Sequence, residues 1–450
     1  MSKVVPSVRR EVSEAPLTLD QAPPRPLGVA STTAFWGNLG ISLLLPVAAV
    51  YVVLPNRPLG VTLLAIVVGA AIGAILLGLA AAPGAREGAP AMVLLRGLLG
   101  RRASYLPTVA NLIQCLGWAT FEIVVIAEAA SRILDAPRWP FVVAAGILAT
   151  LMALRPLGVV RLVARYAVWV ALAAMIYLYV QVLRQPLPES TGDGNAMSFW
   201  TAVDVVIALP VSWAPLAADY TRHARDARTA GVGAALGYGT ATIAFFTLGV
   251  LALLAYGTGG LDVIDALLAV PLGALALLVL VVIELDEAFA NIYSTAVSSQ
   301  NIAARLDRRI LAGAVGAVAT LLAFSFDIVA YEPFLFLIGS VFVPLVGVLI
   351  VAYYVLPRGP WDVSEAAPAR PLLLLPWAVG FAAYQLTLPT FFAGPGAGWT
   401  AWWSARQADL GIDPGNGLSA SLVSLAVAMV LTAIVGLPAV RRHRKRTAVR

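Results

Sequence analysis

Hydrophobic positions fall in long uninterrupted blocks along most of the chain. From near Ala30 to near Leu437, apolar runs alternate with short segments rich in Arg, Pro and Gly. About 20 apolar residues suffice to cross a bilayer core as a helix. Twelve such runs are predicted, over 30-54, 58-82, 104-131, 139-154, 162-183, 199-218, 231-256, 268-298, 310-326, 333-356, 371-392 and 417-438. The pattern is that of an all-α polytopic membrane protein with 12 transmembrane helices.

Two of the runs carry helix breakers near their centres. The first reads "AFWGNLGISLLLP", with Gly37, Gly40 and Pro46; the sixth reads "VVIALPVSWAP", with Pro210 and Pro215. Proline inside a helix removes a backbone hydrogen bond and forces a kink or unwinding. Freed backbone groups are tolerated at membrane depth only against protein or a water-filled cavity. Gly40 and Pro210 lie 170 residues apart, and the same step from Trp118 lands on Ala288. Span one thus corresponds to span six, and span three to span eight. Five spans per repeat is an odd number, so the second copy runs upside down. Interrupted spans at matching positions of inverted repeats point to a transporter's binding site.

Composition agrees with the pattern. Hydrophobic residues make up 60% of the chain, charged residues 12%, and mean hydropathy is +0.87, far from the soluble norm of roughly 25% charged. All basic residues but Arg57, Arg132, Arg138, Arg184 and Arg406 fall on one side of a twelve-span topology. The rule that Lys and Arg stay inside places both termini in the cytoplasm. The pI of about 9.6 therefore reflects orientation and anionic-lipid contact at the tail "RRHRKRTAVR", not nucleic acid. The first 28 residues, Pro-rich and polar, read as a disordered leader without a signal-peptide pattern. Cys115 is the sole cysteine, and His223 and His443 fall outside the spans. Cysteine-cluster metal sites and a histidine relay within the membrane are excluded, and no cofactor motif is found.

The informative residues are acids. Glu122, Glu128, Asp204, Glu284, Asp286 and Glu287 fall within spans, with no Lys or Arg at the same depth to pair with them. Such residues are expensive in hydrocarbon and commonly face a bundle interior or a pathway. The bland alternative is a protonated acid bonded to a neighbouring helix. That reading is preferred for Glu128 and Asp204, nearer the outer ends of their spans where water can reach. It is disfavoured for the cluster in "IELDEAFANIYSTAVSSQN". Helical spacing puts Glu287, Asn291 and Ser294 on one stripe and Glu284, Asn291 and Thr295 on another, with Asp286 turned elsewhere. In span three, "QCLGWATFEIVV" sets Trp118 and Glu122 four apart on one face. An indole beside a carboxylate suits a planar heterocycle bearing an amino group, which stacks and donates N–H bonds.

Three stretches, "GLLGRRASYLPTVANLIQCLGWATFE", "SWAPLAADYTR" and "DEAFANIYSTAVSSQN", together resemble the nucleobase and cation symporter family of purine and cytosine permeases, over roughly Pro16 to Leu437. The resemblance implies a leucine-transporter fold: 29-192 as the first repeat, 193-357 as the second, two further spans over 358-438, and a basic tail over 439-450. It implies a substrate held between spans one, three, six and eight. Trp118 matches the family's stacking tryptophan, and Glu122 stands where an amide is usual. Trp213, with Trp200 as second choice, is expected to close the other ring face. Asn291 and Thr295 match the polar stretch of span eight, and Asn38 and Ser42 the unwound part of span one. At the hydroxyl positions that hold sodium in relatives, this chain has Phe289 and Ala290 or the acids themselves, so proton coupling is the simpler expectation. Asp286 is the leading coupling residue, Glu287 faces the substrate and shares in coupling, and Glu284 lies toward the outside on the access route.

The function expected is symport of a small nucleobase-like heterocycle, cytosine or a relative, with hydroxymethylpyrimidine as the alternative. A passive channel would need a continuous polar pore through several spans. A membrane-embedded enzyme would need a nucleophile motif or metal-ligand spacing, and neither is present.

Overall fold

In the computed structural model, every predicted span coincides with a helix or with two helices joined at a break. The structure describes residues 15–447 except 192–193, 195, 197, 257–261, 327–330, 357–359 and 414–416. Residues 1–14 of the leader and 448–450 of the tail lie outside the described residues. Among the described residues there is no strand, only the isolated bridges of Leu27 with Ala224 and Pro58 with Ser190.

Span one comprises Val29–Leu39 and Leu44–Ala48, ending in the turn Ala49–Tyr51. Spans two to five are Leu59–Glu87, Tyr105–Leu134, Trp139–Ala153 and Pro156–Val182. Span six comprises Phe199–Trp213 and Ala217–Thr221. Spans seven to ten are Ala227–Tyr256, Gly273–Ser299, Arg308–Ala323 and Tyr331–Val355, and the last two are Leu374–Thr387 and Ala420–Thr447. Span twelve therefore runs on helically into the predicted tail. Five of these helices, or six spans when the bent pair of span one is joined, are apolar and long enough to cross a membrane unaided. Span eight has 27 residues but carries the three acids.

The repeat is visible in the packing. Span two packs on span seven and span three on span eight, while the contact of span one with seven is mirrored by that of six with two. Small residues let these helices approach closely, the usual solution where lipid supplies no hydrophobic drive. Spans four and nine show the symmetry atom by atom. A Cβ placed on Gly146 would lie 2.0 Å from Thr320 Oγ1, and one on Gly316 would lie 1.9 Å from Thr150 Oγ1. Each threonine hydroxyl donates to its own glycine's carbonyl, Thr150 to Gly146 and Thr320 to Gly316, both at 2.7 Å. Gly146 and Gly316, like Thr150 and Thr320, are 170 residues apart. Two short helices, Ala91–Leu99 and Val263–Leu268, also occupy matching places after spans two and seven.

The breaks refine the sequence expectation. Span one bends by 53° between Leu39 and Leu44, at Gly40 as expected. Span six does not break at Pro210. The helix runs through to Trp213 and stops at Ala214–Leu216, around Pro215. Pro210 is accommodated because its ring lies on Gly73 of span two, where a Cβ would come within 2.8 Å of Pro210 Cγ.

Two other expectations are corrected. From residue 15 the leader is docked, not disordered. Leu17 O accepts from Gln300 Nε2 at 2.6 Å and from Arg308 N at 3.1 Å, while Leu27 N donates to His223 O and Leu27 O accepts from Arg225 N. Asp204 is not open to water but 1% exposed. It accepts from Ser419 Oγ at 2.5 Å and from the backbone N–H groups of Ala420 and Ser421 at 2.7 and 3.1 Å. It thus caps span twelve, satisfying donors that begin a helix. Glu128 joins Asp262 and Asp265 around Arg132, at 2.8 to 3.0 Å.

Candidate substrate and coupling site

A small, narrow cavity lies between the two breaks, lined by Ser42, Leu44 and Leu45 of span one, Trp118 and Glu122 of span three, Leu209, Ser212, Trp213 and Leu216 at span six, Tyr238 of span seven, and Glu287 and Asn291 of span eight. Of the expected site residues, Ser42, Trp118, Glu122, Trp213, Glu287 and Asn291 thus come together. Asn38, Thr295, Glu284 and Asp286 are buried nearby but do not line it. Trp200 is remote, packed on Phe199 with ring centroids 5.3 Å apart.

Span eight reaches both sides of the break in span one. Glu284 accepts from Ser42 Oγ at 2.8 Å and from Leu43 N at 2.7 Å. A helix start exposes unpaired N–H groups and partial positive charge, and here a carboxylate from another span supplies the cap. On the other half of span one, Asn38 Nδ2 donates to Asp286 Oδ2. Asp286 and Glu284 therefore serve different partners, as their separate stripes imply. Thr295 turns its hydroxyl to Asn291 O of its own helix at 2.7 Å.

Glu122, Glu284 and Glu287 converge with carboxylate oxygens within 4.8 Å of one another, all three buried. Apart from one another, both oxygens of Glu122 and Oε1 of Glu287 have no hydrogen-bond partner among the described residues. Charges this close and this dry require a compensating proton or cation. The rings around them are tightly held. Trp118 packs edge-on against Tyr331 and Phe334 at 5.8 and 5.2 Å, leaving its indole N–H unpartnered. Trp213 Nε1 donates to Tyr238 OH at 2.9 Å, and its ring meets Trp36 edge-on at 5.9 Å.

Sequence reasoning missed Tyr238, Ser212 and Trp36. Trp36 had a readable signal, one turn before the break. Tyr238 sits in a Gly-rich stretch with no polar periodicity, and Ser212 counted as one hydroxyl among many.

Residues 58–368, more than half of the 450, match the family described as permease for cytosine/purines, uracil, thiamine, allantoin. The chain belongs to this permease family. It is a multi-pass transporter, not an enzyme. Among solved structures, the permease is similar to Mhp1, a nucleobase-cation-symport-1 family transporter in a closed conformation with bromovinylhydantoin bound, at 19% identity over 96% of each chain with a TM-score of 0.71. The inward-facing conformation of Mhp1 gives the same TM-score at 18% identity, over 99% of this chain and 95% of that one. A Na+-coupled sialic acid symporter aligns at 10% identity and TM-score 0.63, over 93% and 92%. These likenesses establish the shared fold. Comparison with the curated proteins returns no match.

Proposed function

We propose that this permease imports a planar, amino-bearing nitrogen heterocycle, cytosine or a related pyrimidine or purine base, together with a cation, the proton in preference to sodium. The observation that carries the reading is Trp118 and Glu122 lining one cavity at the breaks of spans one and six, with the Glu122 oxygens unpartnered. Trp118 and Trp213 hold the ring faces; Glu122, Glu287, Asn291 and Ser42 read its polar edge. Asp286, held to Asn38, is the coupling acid, with Glu287 and Glu284 adjoining it. Four buried acids with no basic partner among the described residues favour the proton, which a carboxylate takes up without a built metal cage. Both termini face the cytoplasm by the distribution of Lys and Arg. Hydroxymethylpyrimidine, which carries the same ring amine, is the alternative substrate.

The test is uptake of labelled cytosine into proteoliposomes under an inward proton or an inward sodium gradient, with hydroxymethylpyrimidine, hypoxanthine and hydantoin as competitors. Accumulation driven by the proton gradient alone is expected. Sodium-driven uptake would overturn the choice of coupling ion, and inhibition by hydroxymethylpyrimidine without cytosine transport would move the substrate to the alternative.

A further inference from the structure

The triad of Glu122, Glu284 and Glu287 constrains the charge of whatever fills the cavity. Glu284 is committed to Ser42 and to the N–H of Leu43. Apart from a proton shared among the three carboxyls themselves, the Glu122 carboxyl has no donor. Among the described residues no Lys, Arg or His side chain pairs with any of the three. A second observation points to a ligand. Trp118, 4% exposed, lines the same cavity, and its indole N–H is unpartnered. Trp213 spends its N–H on Tyr238 OH, so what it offers a ligand is ring surface.

Resting on the reading of this cavity as the substrate site, we propose that it takes its substrate as an organic cation, a planar ring whose edge is an amidinium or guanidinium-type fork. Such an edge gives a carboxylate two parallel N–H donors. The charge it brings is the charge the triad needs, and a cation within about 6 Å of a tryptophan or tyrosine ring face gains further attraction. A neutral amide edge of the same outline places a carbonyl oxygen against Glu122, acceptor against acceptor. A neutral aminopyrimidine reaches the required state by binding with one proton added to the lone pair of its ring nitrogen, with no other bond changed. On this account the proton the base carries in the cavity is distinct from the one taken up by Asp286, which lies outside the lining.

The experiment compares benzamidine with benzamide, its neutral isostere, on the purified full-length protein near pH 7, by quenching of tryptophan fluorescence and by thermal unfolding. Benzamidine is expected to bind more tightly by about tenfold or more. In Glu122→Gln, checked for wild-type elution and melting, the preference is expected to shrink to about twofold. The wild-type ratio decides even if that variant does not fold. Equal binding of the two probes, or binding of neither while heterocycle uptake persists, would overturn the proposal and leave the transporter reading standing. So would stabilisation of wild type by Na+ or Mn2+ alone, lost in Glu122→Gln and not competed by benzamidine, since the triad would then be an inorganic cation site. Tight benzamidine binding without accumulation of any heterocycle would instead count against the proposed function.

Discussion

Ser42 Oγ donates to Glu284 Oε1 at 2.8 Å across 242 residues of sequence, closing the broken end of span one with an acid from span eight. Glu284→Gln keeps an acceptor for Ser42 but turns an amide NH2 toward the N–H of Leu43. The variant is expected to lose about 1–3 kcal/mol of stability, the cost of a buried donor left unpaired. Thermal unfolding in detergent measures the loss, and initial uptake rates should fall with it.

Asp286 is tied to Asn38 yet lies outside the cavity lining, so coupling and binding should separate there. In Asp286→Asn, concentrative uptake is expected to disappear while exchange of internal for external substrate continues. Normal accumulation by this variant would remove Asp286 from coupling.

The matched contacts of spans four and nine predict matched costs. Gly146→Ala and Gly316→Ala each force a Cβ into a threonine hydroxyl, and each is expected to cost about 1–3 kcal/mol, as overpacking does. Gly313, where a Cβ would meet nothing within 4 Å, is the control on the same helix, and Gly313→Ala should be neutral or mildly stabilising. Unequal losses at Gly146 and Gly316 would argue against equivalent packing in the two halves.

His223 predicts a pH response of the leader. Burial, reinforced by the neighbouring Arg222 guanidinium, pushes its imidazole down from 6.5 to about 3, while Nδ1 lies 2.8 Å from Pro24 O. A group held neutral in the docked state takes its proton first when released. Docking is therefore fully stabilised above about pH 6.5 and weakens by up to roughly 1.4 kcal/mol per unit as pH falls from there toward 3. Limited proteolysis should cut residues 15–27 faster at pH 5 than at pH 7, and His223→Asn should flatten the difference.

Much of this architecture is legible in the sequence, because lipid admits few solutions. Span number, the 170-residue register and the pairing of Trp118 with Glu122 follow from length, breaker position and helical spacing. Which of the two prolines ends the helix of span six was not legible, since the choice between Pro210 and Pro215 depends on the bare surface of Gly73 beneath Pro210, a partner more than a hundred residues away. The docked leader was missed for a similar reason. Its affinity lies in backbone groups meeting Gln300, Arg308 and His223, and composition does not record where a carbonyl points. Asp204 keeps its expected role as an acid bonded to a neighbouring helix, but its burial was not legible, because depth along a span says nothing about what covers its end.

The packing divides the repeats into two groups, spans one, two, six and seven against spans three, four, eight and nine. Several polar ties at and near the site cross between them: Asn38 to Asp286, Ser42 to Glu284, Gln114 Nε2 to Ser212 O at 2.8 Å, and Tyr220 OH to Ala290 O at 2.7 Å. Any relative motion of the two groups must shear these ties, and the acids among them change strength with each proton or cation gained. The friction between the two halves of the machine is thus electrically adjustable, and a cargo bound as proposed at Glu122 and Glu287 arrives at the surface on which that friction acts.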